Sequence, residues 1–137
     1  MGAETIKELI RKNDRLGILL GVELLEVREG YAEVQMKIED HHLNAADVVH
    51  GGSIFSLADI ALAAASNSYG NVALLTNGSI MVFHATQKGD TLFARAEEIS
   101  KSRKLAHYCV SVFNSANKKV AVYNATAYRT STPLPQT

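Results

Sequence analysis

Hydrophobic positions along the chain recur first at helical and then at strand spacing. Ile6, Leu9 and Ile10 lie within a charged segment over residues 4–14, which predicts a short amphipathic helix. Leu16 to Gly21 is apolar and punctuated by glycine, and reads as a turn into a first strand, Val22 to Glu29. Glu29-Gly30 is a turn signal. Over residues 31–38, Ala32, Val34, Met36 and Ile38 alternate with Glu33, Gln35 and Lys37, the period of a half-buried antiparallel strand. A polar loop from His41 then pivots on His50-Gly51-Gly52 into the one long helical run. From Ile54 to Ala65 this run is almost wholly apolar and rich in alanine, a strong helix former. Such a helix is expected to be buried nearly all round.

The second half reads as strands alone. Val72 to Thr86 is long and apolar, with Gly78 in its middle, where a glycine marks a bulge or a close backbone approach. After a turn at Gln87–Asp90, Thr91 to Ile99 alternates again, and Ser100 to Lys104 forms a basic connection. Leu105 to Phe113 and Val120 to Tyr128 are two further strands, joined by a turn at Asn114–Lys118. Ser131 to Thr137 holds both prolines and is expected to fray. The order is strand, strand, helix, four strands. It predicts an α+β fold in which an antiparallel sheet wraps around one long central helix. All 137 residues are expected to form one domain. One face of so small a sheet stays incompletely covered, which favours a dimer formed by edge-to-edge strand pairing.

Charge and cysteine content narrow the partners. The formal net charge is zero, which argues against nucleic acid or an anionic membrane as partner. Cys109 is the sole cysteine, so no intramolecular disulfide forms, and its strand pattern suits a small buried residue better than a nucleophile. The start of the chain lacks the pattern of a signal peptide, and the longest apolar run is too short to span a bilayer. A cytoplasmic protein is expected.

Candidate chemistry gathers around the central helix. Gly51 and Gly52 fall at its expected start, where backbone N–H groups lack intrahelical acceptors and sit at the positive end of the dipole. Bare glycines let a substrate oxygen approach those groups, although a Gly-Gly pair also serves simply to begin a helix tightly. Asp59 lies two turns further on in apolar surroundings, so it either does a job or bonds a local hydroxyl such as Ser56. Asn44 and His50 can orient a water or a carbonyl, and His50 equally suits a loop anchor. The adjacent pair His41-His42 suits two ligands of one ion poorly and is expected to be solvated.

Leu43-Asn44, His50-Gly51-Gly52, Phe55-Ser56-Leu57-Ala58-Asp59, Ser66-Asn67-Ser68, Gly70 and the later Gly89-Asp90-Thr91-Leu92 together resemble the hotdog-fold acyl-CoA thioesterases of the phenylacetate-pathway (PaaI-like) type. The resemblance covers about residues 14–130. It implies a hotdog fold and hydrolysis of an acyl-CoA carrying an aromatic or medium-chain acyl group. It also implies a homodimer, often paired into a homotetramer, with active sites at the subunit interface and no cofactor or metal. Carried over by position, Asp59 activates the attacking water or attacks directly, and the Gly51 N–H polarises the thioester carbonyl. Asn44 and His50 orient water and thioester, and Thr76 holds a water. Asp59 and Thr76 would come from one subunit and Asn44, His50 and Gly51 from the other. Gly52 and the basic run Lys101, Arg103 and Lys104 are candidates for holding coenzyme A. Phe83-His84-Ala85-Thr86 stands where relatives often carry a proline-containing segment, and Ala45 follows Asn44 where a glycine is common. The alternatives are a hotdog dehydratase or hydratase acting on an acyl thioester, and a non-catalytic acyl-CoA-binding module.

Overall fold

The apolar faces of the alternating strands turn toward one helix. A computed structural model describes residues 1–136. Its elements are α1 (Gly2–Asn13), α2 (Arg15–Leu20), β1 (Glu23–Arg28), β2 (Tyr31–Lys37), a 3₁₀ turn (Asp40–His42), α3 (Gly51–Ser66), β3 (Asn71–Val82), β4 (Thr91–Lys101), β5 (Leu105–Phe113) and β6 (Lys119–Pro133). The six strands form one antiparallel sheet in the order β1-β2-β4-β5-β6-β3. Ala32, Val34 and Met36 of β2, Leu92, Ala94 and Ala96 of β4, and Val110 and Val112 of β5 are fully buried in the core that also holds Leu57, Ala58 and Ala61 of α3. Small inward residues on β2 and β4 let the helix lie close. Leu57 has no exposed surface, so truncating it to alanine would cost about 2–5 kcal/mol.

The far end of α3 is tied down by Asn67. Its Nδ2 donates to Ala63 O (2.8 Å) and Ala73 O (3.2 Å), while its Oδ1 accepts from Ala73 N (2.9 Å). One buried amide thus joins the helix end to the start of β3.

The segment Leu16–Gly21, expected as a turn, is the short helix α2. Asp14 caps it by accepting from Gly17 N at 2.8 Å, and Gly21 ends it in the left-handed region at φ 78°. The tail expected to fray from Ser131 is held in place through Leu134. β6 runs on to Pro133, and Leu134 donates its N–H to Gly70 O (3.0 Å) and buries its side chain in the core. Thr137 lies outside the described residues. His42 of the His41-His42 pair is fully buried rather than solvated. Its Nδ1 accepts from Glu39 N and its Nε2 donates to Leu20 O, each at 2.8 Å, so it ties the loop to the end of α2. Cys109 is half-buried on β5, paired across the sheet with Glu97 and Asn124.

α3 is not buried all round. Gly52, Phe55, Ser56, Asp59 and Ala63 follow one another at helical spacing and keep exposed or half-exposed surface. The outer edge strand β3 is likewise bare, with Leu74, Leu75, Met81 and Val82 exposed.

Candidate active site

The start of α3 is held by the residue before it. His50 takes an extended conformation and its Nδ1 accepts from Gly52 N at 2.9 Å, an N-cap made by an imidazole. The His50 N–H donates to His42 O (2.8 Å), and its carbonyl accepts from Ser53 N and Ile54 N. The loop-anchoring reading of His50 is therefore realised, and Nε2 is left as the ring nitrogen free to meet a ligand. The cap occupies the N–H of Gly52, a candidate for holding coenzyme A. The N–H of Gly51 meets no acceptor among the described residues, and a Cβ placed on Gly51 would meet nothing within 4 Å. An open N–H at the positive helix end is a ready donor for an oxyanion.

Asn44 lies in the loop that leads to this end. The Leu43–Val49 bridge closes the loop, and Asn44 Oδ1 accepts from Ala46 N (2.9 Å) and Val48 N (3.3 Å). Its carbonyl oxygen is spent on the turn, and its Nδ2 stays available as a donor. Leu16, Leu20 and Leu43 stand beside His50, Gly52, Ser53 and Ser56 around a shallow hollow of about 240 Å³.

Asp59 projects from the open stripe of α3, two turns beyond Gly51. Ser56, the local hydroxyl expected as its partner, instead donates to Gly52 O at 2.8 Å. The partner of Asp59 comes from the sheet, where the Tyr123 hydroxyl on β6 donates to Asp59 Oδ1 at 2.9 Å. Burial holds the Asp59 carboxyl above its ordinary range; the Tyr123 hydrogen bond opposes this, and the nearby Asp14 charge adds to it. The Tyr123 hydroxyl is in turn pushed well above the usual phenol range, by burial first and by the carboxylate second, so it remains a donor.

Thr76 sits at the irregularity in the β3–β6 register between Leu75 and Asn77, and its hydroxyl donates to Thr126 O at 3.1 Å. Two residues on, Gly78 meets the expectation of a close approach. A Cβ there would lie 2.5 Å from the Tyr123 hydroxyl. One chain therefore gathers Asn44, His50 and Gly51 at the head of α3 and places Asp59 two turns further along, with Gly78 of β3 against the Tyr123 that bonds it. Thr76 is tied to β6 and not to Asp59. Eight residues separate Gly51 from Asp59, roughly 12 Å of helix.

The basic run lies beyond the other end of α3. Arg103 and Lys104 line a cavity of about 510 Å³ with Tyr69, Tyr128, Arg129 and Thr130. Arg129 of β6 adds a further cation to this lining. It braces the turn by donating to Ser102 O at 2.6 Å. Lys101 does not line this cavity itself; its Nζ lies over Tyr69, which does, 3.8 Å from the centre of the ring.

Tyr123 and Asp14 are the site residues that sequence reasoning missed. A tyrosine in the middle of an apolar strand carries one usable signal, since a buried phenol needs an acceptor. Only the fold says that this acceptor is 64 residues away.

The Thioesterase superfamily model matches residues 46–121, from the loop before α3 into β6. A putative esterase of Archaeoglobus fulgidus is 47% identical over 134 residues, 98% of this chain and 87% of that protein. The acyl-coenzyme A thioesterase PaaI of Escherichia coli is 33% identical over 118 residues, 86% of this chain and 84% of that protein. The solved structure of E. coli PaaI, from the phenylacetic acid degradation operon, superposes with a TM-score of 0.94 at 30% identity, covering 98% of this chain and 97% of that one. A Streptococcus mutans protein solved with acetyl CoA bound gives a TM-score of 0.79 at 26% identity, covering 82% and 91% of the two chains.

Proposed function

The chain belongs to the thioesterase superfamily, and on that premise we propose how its residues divide the cleavage of a thioester between two subunits. The protein has the hotdog fold and hydrolyses acyl-CoA thioesters to free acid and coenzyme A. The open Gly51 N–H donates to the thioester oxygen and holds the charge that gathers there as the carbonyl carbon becomes tetrahedral. Asp59 takes a proton from the attacking water while the new C–O bond forms. When the carbonyl re-forms, the C–S bond breaks and the coenzyme A thiolate leaves with that proton. Asn44 Nδ2 and His50 Nε2 orient the thioester, and Thr76 holds the water.

Roughly 12 Å of helix is too long a span for one thioester to touch both Gly51 and Asp59 of the same α3. A two-fold dimer, or a tetramer built from two such dimers, lays the open stripe of one α3 beside that of its partner. Asp59 and Thr76 of one chain then face Asn44, His50 and Gly51 of the other. The bare edge and exposed apolar residues of β3 support strand pairing across the same axis. Arg103 and Lys104 hold the coenzyme A phosphates at the basic cavity. An aromatic or medium-chain acyl group suits the apolar wall of Leu16, Leu20 and Leu43, and the similarity to PaaI supports the same choice. A cytoplasmic location belongs to this reading. No helix among the described residues is long and apolar enough to cross a membrane.

The observation that carries the assignment is the pairing, on one helix, of an unoccupied N–H at Gly51 with a half-buried carboxylate of raised pKa at Asp59. The test is thiol release from aromatic, medium-chain and long-chain acyl-CoAs by the wild type and by Asp59→Asn. The variant is expected to lose at least about a hundredfold in kcat with little change in KM, the low end for loss of a general base. Wild-type kcat in the variant would overturn the role of Asp59. Hydration of an enoyl-CoA without thiol release would favour the hydratase alternative.

A further inference from the structure

Among the described residues, Tyr123 is the one residue of the sheet whose side chain hydrogen-bonds Asp59. It is fully buried on β6, yet its hydroxyl ends 2.9 Å from Asp59 Oδ1. Two neighbours fix the ring. Phe55 meets it edge-on, with ring centres 4.9 Å apart and planes at 61°. On the other side β3 carries Gly78, where any Cβ would stand 2.5 Å from the hydroxyl and 2.6 Å from the ring. A bare glycine in the middle of a strand sacrifices packing and order. Here it clears the space that the phenol fills.

We propose that Tyr123 is a positioning residue for thioester hydrolysis, which holds Asp59 by one oxygen and turns the other toward the attacking water. This rests on the reading of Asp59 as the general base. Asp59 Oδ1 is engaged, whereas Oδ2 has no partner among the described residues. A phenol has only two side-chain torsions, and a clamped ring leaves its hydroxyl little freedom, so the carboxylate is held rather than merely touched. The bond also favours the ionised carboxylate, because a donor facing an anion stabilises the charge. Two groups act on Asp59 from the elements packed around it: Tyr123 from β6, and Asp14 from the junction of α1 and α2, whose negative charge works the other way together with burial. Tyr123 thus opposes burial and the Asp14 charge, and favours the ionised form of the half-buried carboxylate.

The experiment is Tyr123→Phe, made in the wild type and in Asp59→Asn. It reads kcat, KM, the pH profile of kcat/KM and the melting temperature. Loss of a hydrogen bond to a charged group is expected to lower kcat about tenfold or more with KM little changed. The acid limb of the profile should move to higher pH, since the donor that favoured ionisation is gone. In the Asp59→Asn background the same change should cost no further kcat. Titration of the Asp59 carboxylate by ¹³C NMR in the Tyr123→Phe protein should show the same upward shift. A purely structural tyrosine would lower the melting temperature and leave the acid limb in place, and that result overturns the proposal. If Asp59→Asn itself keeps wild-type kcat, the base assignment falls and this proposal falls with it. If Asp59→Asn is inactive while Tyr123→Phe keeps wild-type kcat and profile, only the role of Tyr123 falls.

Discussion

Replacing Gly51 with proline removes one N–H and leaves the remaining hydrogen bonds intact. Gly51 is the first residue of α3, a position where proline is favoured because its missing donor has no intrahelical partner. His50 before it already has φ −64° and ψ 136°, the extended conformation that a following proline imposes. A Cβ at Gly51 would meet nothing within 4 Å, and the Gly51 N–H has no acceptor to lose among the described residues. The cap from His50 to Gly52 N is untouched. Folding should therefore gain, by about 0.4–1 kcal/mol from the stiffened unfolded chain. That corresponds to a rise in melting temperature of roughly a few degrees. If the same N–H is the oxyanion donor, kcat should fall about 10²–10³-fold. Gly51→Ala retains the N–H and should keep most of the activity. The assay is thiol release alongside thermal unfolding, on the wild type and both variants. A Gly51→Pro protein that is at least as stable as the wild type and turns over at the wild-type rate would refute the role of the Gly51 N–H. A Gly51→Ala protein as slow as the proline variant would show that bulk, and not the lost donor, is responsible.

If the site is shared, Gly51→Pro and Asp59→Asn subunits should complement one another. A random equal mixture gives half mixed dimers, each with one intact site, so about a quarter of the wild-type activity should return after subunit exchange, and no recovery would count against a two-chain site. Arg103→Ala with Lys104→Ala should raise KM for an acyl-CoA far more than for the corresponding acyl-pantetheine, and equal effects would remove the phosphates from that cavity. Lys101→Ala should do less, because Lys101 does not line that cavity and its charge is already engaged with the Tyr69 ring. Asp59→Asn should raise the melting temperature at neutral pH. The folded-state pKa of Asp59 lies above its ordinary value, so the folded protein binds that proton more readily than the unfolded chain. Its destabilisation is complete above the folded-state pKa and is relieved as the pH falls through it. The gain in the variant should accordingly shrink on acidification, and a gain independent of pH would refute the cause.

The sequence determined the order of the six strands and the central helix, and where the candidate site residues fall along it. β2 was legible because Ala32, Val34 and Met36 alternate with charged and polar residues, and a sheet with one buried face demands that alternation. α3 was legible because its run of alanines and aliphatic residues cannot stay in water. Gly78 announced a close approach, and Gly51 and Asp59 stood out because a bare helix start and a carboxylate in apolar surroundings are both costly without a purpose. α2 was misread since six residues are too few to show a helical period, and its signal lay in flanking Asp14 and Gly21, not in its apolar positions.

Tertiary structure decided what those residues touch. Periodicity reports which face of an element is buried but not which distant element covers it. The sequence therefore offered Ser56 as the partner of Asp59, while the sheet supplied Tyr123 from 64 residues away. It left His50 open between two roles, and the fold assigned Nδ1 to the helix cap and left Nε2 free. It made α3 look uniformly buried, because alanine is as apolar on an open face as on a closed one. The fold left the stripe of Gly52, Ser56 and Asp59 uncovered. A hydrogen bond between sheet and helix, or an opening left between them, depends on the crossing of two surfaces in space, and no spacing along a single strand of sequence encodes it.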